Sequence, residues 1–267
     1  MWERASLVLS TPFWEWTALA LGLIVGSFAN VCIHRLPRRE SLGMPPSRCP
    51  HCQTRIRPWD NVPVLSYVLL RGRCRACRAP ISARYPMVEA ANGAAYFALA
   101  VLMGPYVRTF VLMAFVTALL VLTLIDLEHQ ILPNVITIPG IAVGIGASLL
   151  PGSPIGVVES LASAAGGFLV FAAFGEGWKR LRGEEAMGMG DWKMAAMLGA
   201  FLGWRKLLLT VFLGSLLGSI VGLLLIAFWA GSGRTKIPFG TFLGLGAIAA
   251  VFVGDFLIAW YGGFFVA

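Results

Sequence analysis

Long apolar runs separated by short polar segments make up most of the chain, and this pattern predicts helices that cross a membrane. Eight runs are apolar enough to span, with glycine and proline marking the loops between them. The predicted spans are Phe13–His34, Tyr85–Met103, Tyr106–Asp126, Asn134–Leu150, Val157–Trp178, Asp191–Gly203, Lys206–Ala230 and Pro238–Tyr261. A span needs about 20 residues, so Asp191–Gly203 is either a short buried helix or part of the next one. The expected fold is therefore an all-α polytopic membrane protein with about eight transmembrane helices.

Composition and charge support a membrane location and suggest an orientation. The chain is 58% hydrophobic and 13% charged, whereas soluble proteins carry about 25% charged residues. A net charge of +8 would suit a nucleic-acid partner, but the basic residues lie in loops between spans, so membrane lipid is expected and nucleic acid is not. With the N-terminus outside, 17 of the 21 Lys and Arg residues fall on the inside. The positive-inside rule thus predicts an N-out, multi-pass protein of a cytoplasmic membrane.

A polar, cysteine-rich module separates the first two predicted spans. Cys49, Cys52, Cys74 and Cys77 form two C-x2-C pairs, and 21 residues lie between them. Two such pairs supply the four thiolates of a structural zinc site, whereas structural disulfides are unexpected on the cytoplasmic side. We therefore predict three parts: a transmembrane helix in 1–34, a cytoplasmic four-cysteine module in 35–84 and a transmembrane domain in 85–267. No internal repeat of fixed period is apparent.

Two acidic residues stand where the pattern predicts the ends of membrane helices. Asp126 ends the third span and Asp191 opens the sixth, and the loop charges place both at the cytoplasmic face. Each acid also has a structural explanation when considered alone. Asp191 would be an ordinary acidic residue at the start of a helix, and Asp126 would be a helix-end residue whose carboxylate reaches out to the membrane surface. Asp255, in the last span, is a competing candidate for which a structural role is favoured, and the role of Glu89 stays open.

Together, the two aspartates would suit acid–base chemistry on a peptide bond. Two close carboxylates do not both ionise easily, so one keeps a proton while the other activates water. Gly188 and Gly190 precede Asp191, and the absence of side chains there would let substrate backbone approach. The sequence therefore predicts a catalytic pair formed by Asp126 and Asp191, with a substrate-binding role for the two glycines.

Several blocks in order along the chain resemble the bacterial type IV prepilin peptidases, which are GxGD-type aspartyl proteases. They include the two cysteine pairs and the stretches Gly26–Pro37, Asn61–Tyr67, Arg84–Glu89, Ile125–Asn134, Gly188–Lys193 and Ile237–Gly240. The chain departs modestly from the family at Ala29 and Trp192, and the segment between Pro37 and Cys49 is shorter than in some relatives. None of these departures removes a residue that the protease chemistry requires.

The resemblance implies that Asp126 and Asp191 are catalytic. It also implies that leader peptides of type IV prepilins and type II secretion pseudopilins are cleaved at the cytoplasmic face of a bacterial inner membrane. The new N-terminus would then be methylated with S-adenosylmethionine, a cofactor for which composition offers no sign. Three rival interpretations are a presenilin-like or preflagellin peptidase, a transporter that uses the acids as ion sites, and a non-catalytic scaffold. The four-cysteine module argues against the first and the shared depth of the acids against the second, while a scaffold leaves the acid pair unexplained.

Overall fold

The computed structural model describes residues 13–184, 187–229 and 238–263. Within these residues the regular structure is helical, apart from two isolated β-bridges in the four-cysteine module. The helices are α1 Phe13–Arg35, α2 Leu65–Leu69, α3 Arg84–Met103, α4 Val107–His129, α5 Asn134–Ala147, α6 Val157–Arg182, α7 Met189–Trp229 and α8 Phe239–Gly263, with a 3-10 turn at Pro58–Asn61. The all-α polytopic fold expected from the sequence is confirmed.

Six of these helices, in the part of the chain that the structure describes, are long and apolar enough to cross a membrane. The exception among the predicted spans is α5, which stops at Ala147 although the apolar run predicted Leu150. Its 14 residues rise only about 21 Å, which is short of a hydrocarbon core of about 30 Å. The helix packs against α7 and also contacts α6.

The helix α7 contains both the short predicted span and the one that follows it, joined at Gly203. Gly203 has φ 72° and ψ 172°, and the residues on either side are helical. The arm 189–202 runs antiparallel to α6, since Trp192 lies beside Gly175 and Gly203 beside Glu159. The arm 204–229 runs antiparallel to α8, with Lys206 beside Gly254 and Gly214 beside Phe242. The two predicted spans are therefore two helical arms of α7, and the break between them is the single residue Gly203. The last predicted position of the second span, Ala230, lies outside the described residues.

The chain divides into two compact units, and the division falls inside α4 after Thr117. In the first unit, α1 packs on α3 through glycines. A Cβ on Gly22 would lie 2.8 Å from Gly93 Cα, and one on Gly26 would lie 2.8 Å from Glu89 Cα. Small residues four apart allow two membrane helices to approach this closely. Buried Asn92 adds a hydrogen bond across the pair, from its Nδ2 to Gly22 O at 2.8 Å.

The second unit uses the same packing with more helices. Helix α7 is its centre, because α5, α6 and α8 all pack against it. The helices approach closely at glycines, as where a Cβ on Gly167 would lie 2.8 Å from Ala195 O. The C-terminal end of α4 and the N-terminal ends of α5, α7 and α8 meet on one side of this unit, which brings together residues that lie far apart in the sequence.

Candidate active site

Asp126 is buried near the end of α4, and the start of α8 holds its carboxylate. Its Oδ2 accepts hydrogen bonds from the backbone N of Thr241 at 2.6 Å and from the hydroxyl of Thr241 at 3.0 Å. The first amides of a helix have no partner within the helix, so a carboxylate from another helix can act as their acceptor. Both donors converge on one oxygen atom, which fixes the direction of the carboxylate and leaves Oδ1 on its other side.

Asp191 lies in the first turn of α7 and makes a local contact of the same kind. Its Oδ2 accepts a hydrogen bond from the backbone N of Gly188 at 3.1 Å, and its own N–H donates to Gly188 O at 3.0 Å. Each of the two sequence-predicted acids is therefore anchored through Oδ2, and the helix ends that carry them meet at Leu132.

Leu132 connects the segments that carry the two acids. A Cβ on Gly190 would lie 3.0 Å from Leu132 Cβ, and one on Gly240 would lie 3.0 Å from Leu132 Cδ1. The same Cβ on Gly240 would lie 2.9 Å from Asp126 Oδ2. Such distances are shorter than ordinary carbon contacts, so a side chain at either glycine would displace Leu132, and one at Gly240 would also displace the Asp126 carboxylate.

Two of the predicted site glycines thus have distinct surroundings. Gly190 is needed where α7 meets Leu132, while Gly188 supplies the amide that binds Asp191. Their predicted contact with substrate stays a prediction. A further link between the same helix starts is the hydrogen bond from Lys193 Nζ to Asn134 Oδ1 at 3.0 Å.

Gly240 and Thr241 are the site residues that sequence reasoning missed. Gly240 belongs to a block that resembles the family, but nothing in the local pattern connects it to an acid 114 positions earlier. The available signal was a helix beginning just after Pro238, because such a start presents unpaired amides to any nearby carboxylate. Thr241 carries no signal of its own, since threonine is common in buried helices.

The four cysteines of the module form one cluster. Their sulfur atoms all lie within 4.8 Å of one another, and Cys49 Sγ and Cys77 Sγ are 3.8 Å apart. Tetrahedral zinc with Zn–S bonds of about 2.3 Å holds sulfurs about 3.8 Å apart, so the donors fit a four-thiolate metal site. Hydrogen bonding with Thr54 lowers the pKa of Cys52 to about 6, and the backbone N–H groups of Cys77 and Ala76 lower the pKa of Cys74. These two shifts favour the thiolate form that metals bind, whereas burial and the three neighbouring thiols raise the pKa of Cys77 to about 11.

The two cysteine pairs are structural copies of each other, displaced by 25 residues. Residues 48–56 and 73–81 both fold as a turn closed by a β-bridge, and Gln53 and Arg78 take the same positive φ at equivalent positions. The backbone hydrogen bonds correspond one to one: Cys49 N to Thr54 O, Gln53 N to Cys49 O and Ile56 N to Ser47 O match Cys74 N to Ala79 O, Arg78 N to Cys74 O and Ile81 N to Gly72 O. This short repeat was missed in the sequence because few side chains beyond the cysteines recur.

The other two acids that the sequence singled out have structural partners. Asp255 Oδ2 accepts a hydrogen bond from Lys206 Nζ at 2.8 Å, which links α8 to the second arm of α7. Glu89 is buried in α3, and its Oε2 accepts a hydrogen bond from Val64 N at 2.8 Å.

Comparison with known proteins identifies the family. The model of the bacterial peptidase A24 N-terminal domain matches residues 20–103, and that of the type IV leader peptidase family matches residues 113–223. The chain is 39% identical to a prepilin leader peptidase/N-methyltransferase of Burkholderia pseudomallei (strain K96243) over 264 residues, covering 89% of this chain and 84% of the relative. It belongs to the type IV leader peptidase family.

Two further proteins with the same name extend the likeness over almost the whole chain. The one from Pseudomonas putida is 37% identical, with 95% of each chain covered. The one from Pseudomonas aeruginosa is 36% identical, with 89% of each chain covered. No solved structure matches this member of the leader peptidase family.

Proposed function

We propose that this chain is a prepilin leader peptidase that cleaves the leader peptides of type IV prepilins and related pseudopilins. The observation that carries the proposal is the acid pair: Asp126 and Asp191 come from different helices whose ends meet at Leu132, and each is fixed through one carboxylate oxygen. Fixed carboxylates with a second oxygen available are what water activation requires. The shared name of the relatives supplies the substrate class.

In the proposed reaction, Asp126 and Asp191 work as a pair that holds one proton. Asp126 Oδ2 already accepts two hydrogen bonds, so Oδ1 is the oxygen through which Asp126 exchanges a proton. Asp191 likewise has Oδ2 engaged with Gly188. One carboxylate removes a proton from the attacking water, and the other donates a proton to the scissile carbonyl oxygen. The resulting gem-diol then collapses: its C–N bond breaks, the leaving amine takes a proton from the pair, and one gem-diol hydroxyl returns a proton to the pair, which again holds one proton.

Purified protein incubated with a prepilin tests this proposal directly. We expect the wild type to release a shorter pilin whose new N-terminus mass spectrometry can locate, and Asp126→Asn and Asp191→Asn to leave the precursor intact. Normal processing by either variant would overturn the assignment of the pair.

We further propose that the chain methylates the new N-terminal amine, with S-adenosylmethionine as co-substrate. The support is the second half of the name that the relatives carry. Supplying S-adenosylmethionine with a labelled methyl group during the cleavage reaction should label the mature pilin and not the precursor. Because label and cleavage are read separately, the absence of label would reject methylation without touching the peptidase assignment.

The metal of the four-cysteine cluster is proposed to be zinc, in a structural role. Four thiolates complete a tetrahedral shell and leave no position for substrate, which is typical of structural zinc. Cys49, Cys52, Cys74 and Cys77 would hold the ion and stabilise a module of about 50 residues that has little core of its own. Elemental analysis of the purified protein should find one zinc per chain.

The proposed location is the bacterial inner membrane, with the N-terminus outside and both the four-cysteine module and the acids at the cytoplasmic face. The unequal distribution of Lys and Arg among the loops supports it. A reporter enzyme that is active only outside the membrane, fused within 151–154 and separately within 40–47, should be active at the first site and inactive at the second.

A further inference from the structure

The segment between the two cysteine pairs has an exposed apolar surface that is not part of the four-cysteine cluster. The short helix α2 buries Ser66 and turns Leu65, Val68 and Leu69 outward, with Leu69 81% exposed. These three residues share one face, because positions i, i+3 and i+4 of a helix lie together. Trp59, 62% exposed, belongs to the adjoining 3-10 turn. We call Trp59, Leu65, Val68 and Leu69 the apolar face.

Hydrogen bonds join the 3-10 turn firmly to α2, so the apolar face is one surface. The hydroxyl of buried Ser66 donates to Trp59 O at 3.0 Å and accepts a hydrogen bond from Val62 N at 2.9 Å. A loose loop would hide large apolar side chains among its own atoms, whereas this segment is held with them outward. An exposed apolar surface on an ordered segment indicates a binding partner.

The contact between Glu89 and Val64 shows where this surface lies along the membrane helices. Glu89 is five residues into α3, about 7.5 Å from the start of that helix along its axis. Its Oε2 accepts a hydrogen bond from the N–H of Val64, the residue just before α2. Val64 therefore lies beside the second turn of α3, which is a membrane-spanning helix. Val64 has φ 60°, a conformation that costs a β-branched residue free energy. The hydrogen bond to Glu89 accounts for how that conformation is kept.

Charge around the apolar face fits an anionic surface. Residues 35–84 contain 11 arginines and only two acids, Glu40 and Asp60. Asp60 is paired with Arg75 at 2.6 Å. Exposed Arg57 and Arg71 come just before and just after the apolar face in the sequence, and the Arg57 guanidinium lies 5.7 Å from the centre of the Trp59 ring. Apolar residues with arginine at their margin are typical of segments that lie in a lipid headgroup layer.

We propose that the apolar face is a membrane-interface anchor, which inserts into the lipid leaflet that α1 and α3 enter and is held by anionic headgroups. Both ends of the module continue directly into membrane helices, so the leaflet is within reach. The distance of about 7.5 Å along α3 from its first residue to Glu89 is comparable with the ~5–10 Å to which interfacial segments sink. The four-cysteine cluster then acts as a clamp that keeps the anchor ordered, and the module lies on the membrane instead of extending into water.

Fluorescence of Trp59 in the full-length protein tests this anchor. The protein is placed in nanodiscs of phosphatidylcholine and phosphatidylglycerol, and the spectrum of Trp59→Phe is subtracted from that of the wild type. Replacing the lipids with ones brominated high on the acyl chain should quench the Trp59 signal by about half or more, because the ring would sit among those carbons. Trp204→Phe gives the matched positive control, since exposed Trp204 belongs to a membrane helix. Metal content and the Trp204 signal show that the variant is folded.

Acrylamide, a neutral quencher in water, separates the alternatives. Strong acrylamide quenching without quenching by brominated lipid would place Trp59 in water and overturn the anchor. Resistance to both quenchers would mean that protein covers the face, which also overturns it. The charge requirement is tested with Arg57→Gln combined with Arg71→Gln. In the wild type, brominated lipid should quench Trp59 more in anionic nanodiscs than in nanodiscs of phosphatidylcholine alone. The double variant should lose most of this difference in quenching, and an unchanged difference would contradict the role of the headgroups.

Discussion

The four-cysteine cluster and the aspartate site are built in opposite ways. All four cysteines come from one stretch of 29 residues, and each pair is held by a turn whose hydrogen bonds are local. The aspartate site draws Asp126, Leu132, Gly190 and Thr241 from four separate segments and depends on helices that touch through glycines. The first site is therefore a property of short spacing and bound metal. The second is a property of long-range packing, so a single added methyl group should damage it.

The largest effect is expected from removing either acid. Asp126→Asn or Asp191→Asn should lower kcat for prepilin cleavage by at least ~10³-fold, because each carboxylate exchanges protons with the reacting atoms. Asp255→Asn is the matched control: it is also an aspartate of a membrane helix but is paired with Lys206, and it should keep most of the activity. Metal content should be the same in all three variants. A loss of activity in Asp255→Asn equal to that in the other two would undo the distinction between site and scaffold acids.

Close packing at the site predicts the next largest effect. Gly240→Ala puts a methyl group 2.9 Å from Asp126 Oδ2 and 3.0 Å from Leu132 Cδ1, which must displace the carboxylate. A shift of about 1 Å can cost ~10²-fold in rate, so kcat should fall by about that factor. Gly146→Ala in α5 is the control, since a Cβ there meets nothing within 4 Å. Equal activity of the two alanine variants would show that the carboxylate does not need this approach.

Removing the hydroxyl of Thr241 should lower kcat by a smaller factor, and this effect can be separated from that of the backbone N–H. Thr241→Val keeps the shape and the backbone N–H but removes the hydroxyl donor, and we expect kcat to fall about tenfold with little change in KM. Thr241→Ser restores the donor and should recover most of the rate. If serine were as impaired as valine, packing of the methyl group, and not the hydrogen bond to Asp126, would explain the loss.

Sequence reasoning performed differently on these two regions for a physical reason. The cysteine pairs were recognised by their spacing because a bound ion constrains neighbouring residues, and the spans were recognised by length because lipid demands about 20 apolar residues. The sixth predicted span ended at Gly203, although the sequence left open whether that span was a separate helix or part of the next one. The convergence of Asp126 with Gly240 was not predictable in this way. It arises from how α4 and α8 pack, and the spacing of apolar residues along one helix does not indicate which other helix lies beside it.

Two further misses have the same origin. The apolar run predicted that α5 extends to Leu150, but apolar residues do not by themselves sustain a helix, and the chain leaves the helix at Ser148 and turns before Pro154. The role of Glu89 could not be read from its position, because its partner is a backbone amide 25 residues earlier. The pattern of apolar and polar side chains does not predict this contact, because it depends on the backbone conformation of Val64.

Disrupting the four-cysteine cluster should have the smallest effect on cleavage and the largest on the module. Cys49→Ser removes one of four thiolates, so zinc content should fall and limited proteolysis should cut within residues 40–80, because the metal is expected to supply much of the folding free energy of the module. The acids share no side chain with the cluster, so kcat per folded molecule should stay within about threefold of the wild type, as expected for independent sites. Cys32→Ser is the matched control, since Cys32 is a buried residue of α1 outside the cluster, and it should change neither zinc content nor proteolysis. A large fall in kcat for Cys49→Ser alone, with the protein still folded, would mean that the metal module takes part in presenting the substrate, and the two regions would then have to be treated as one functional site.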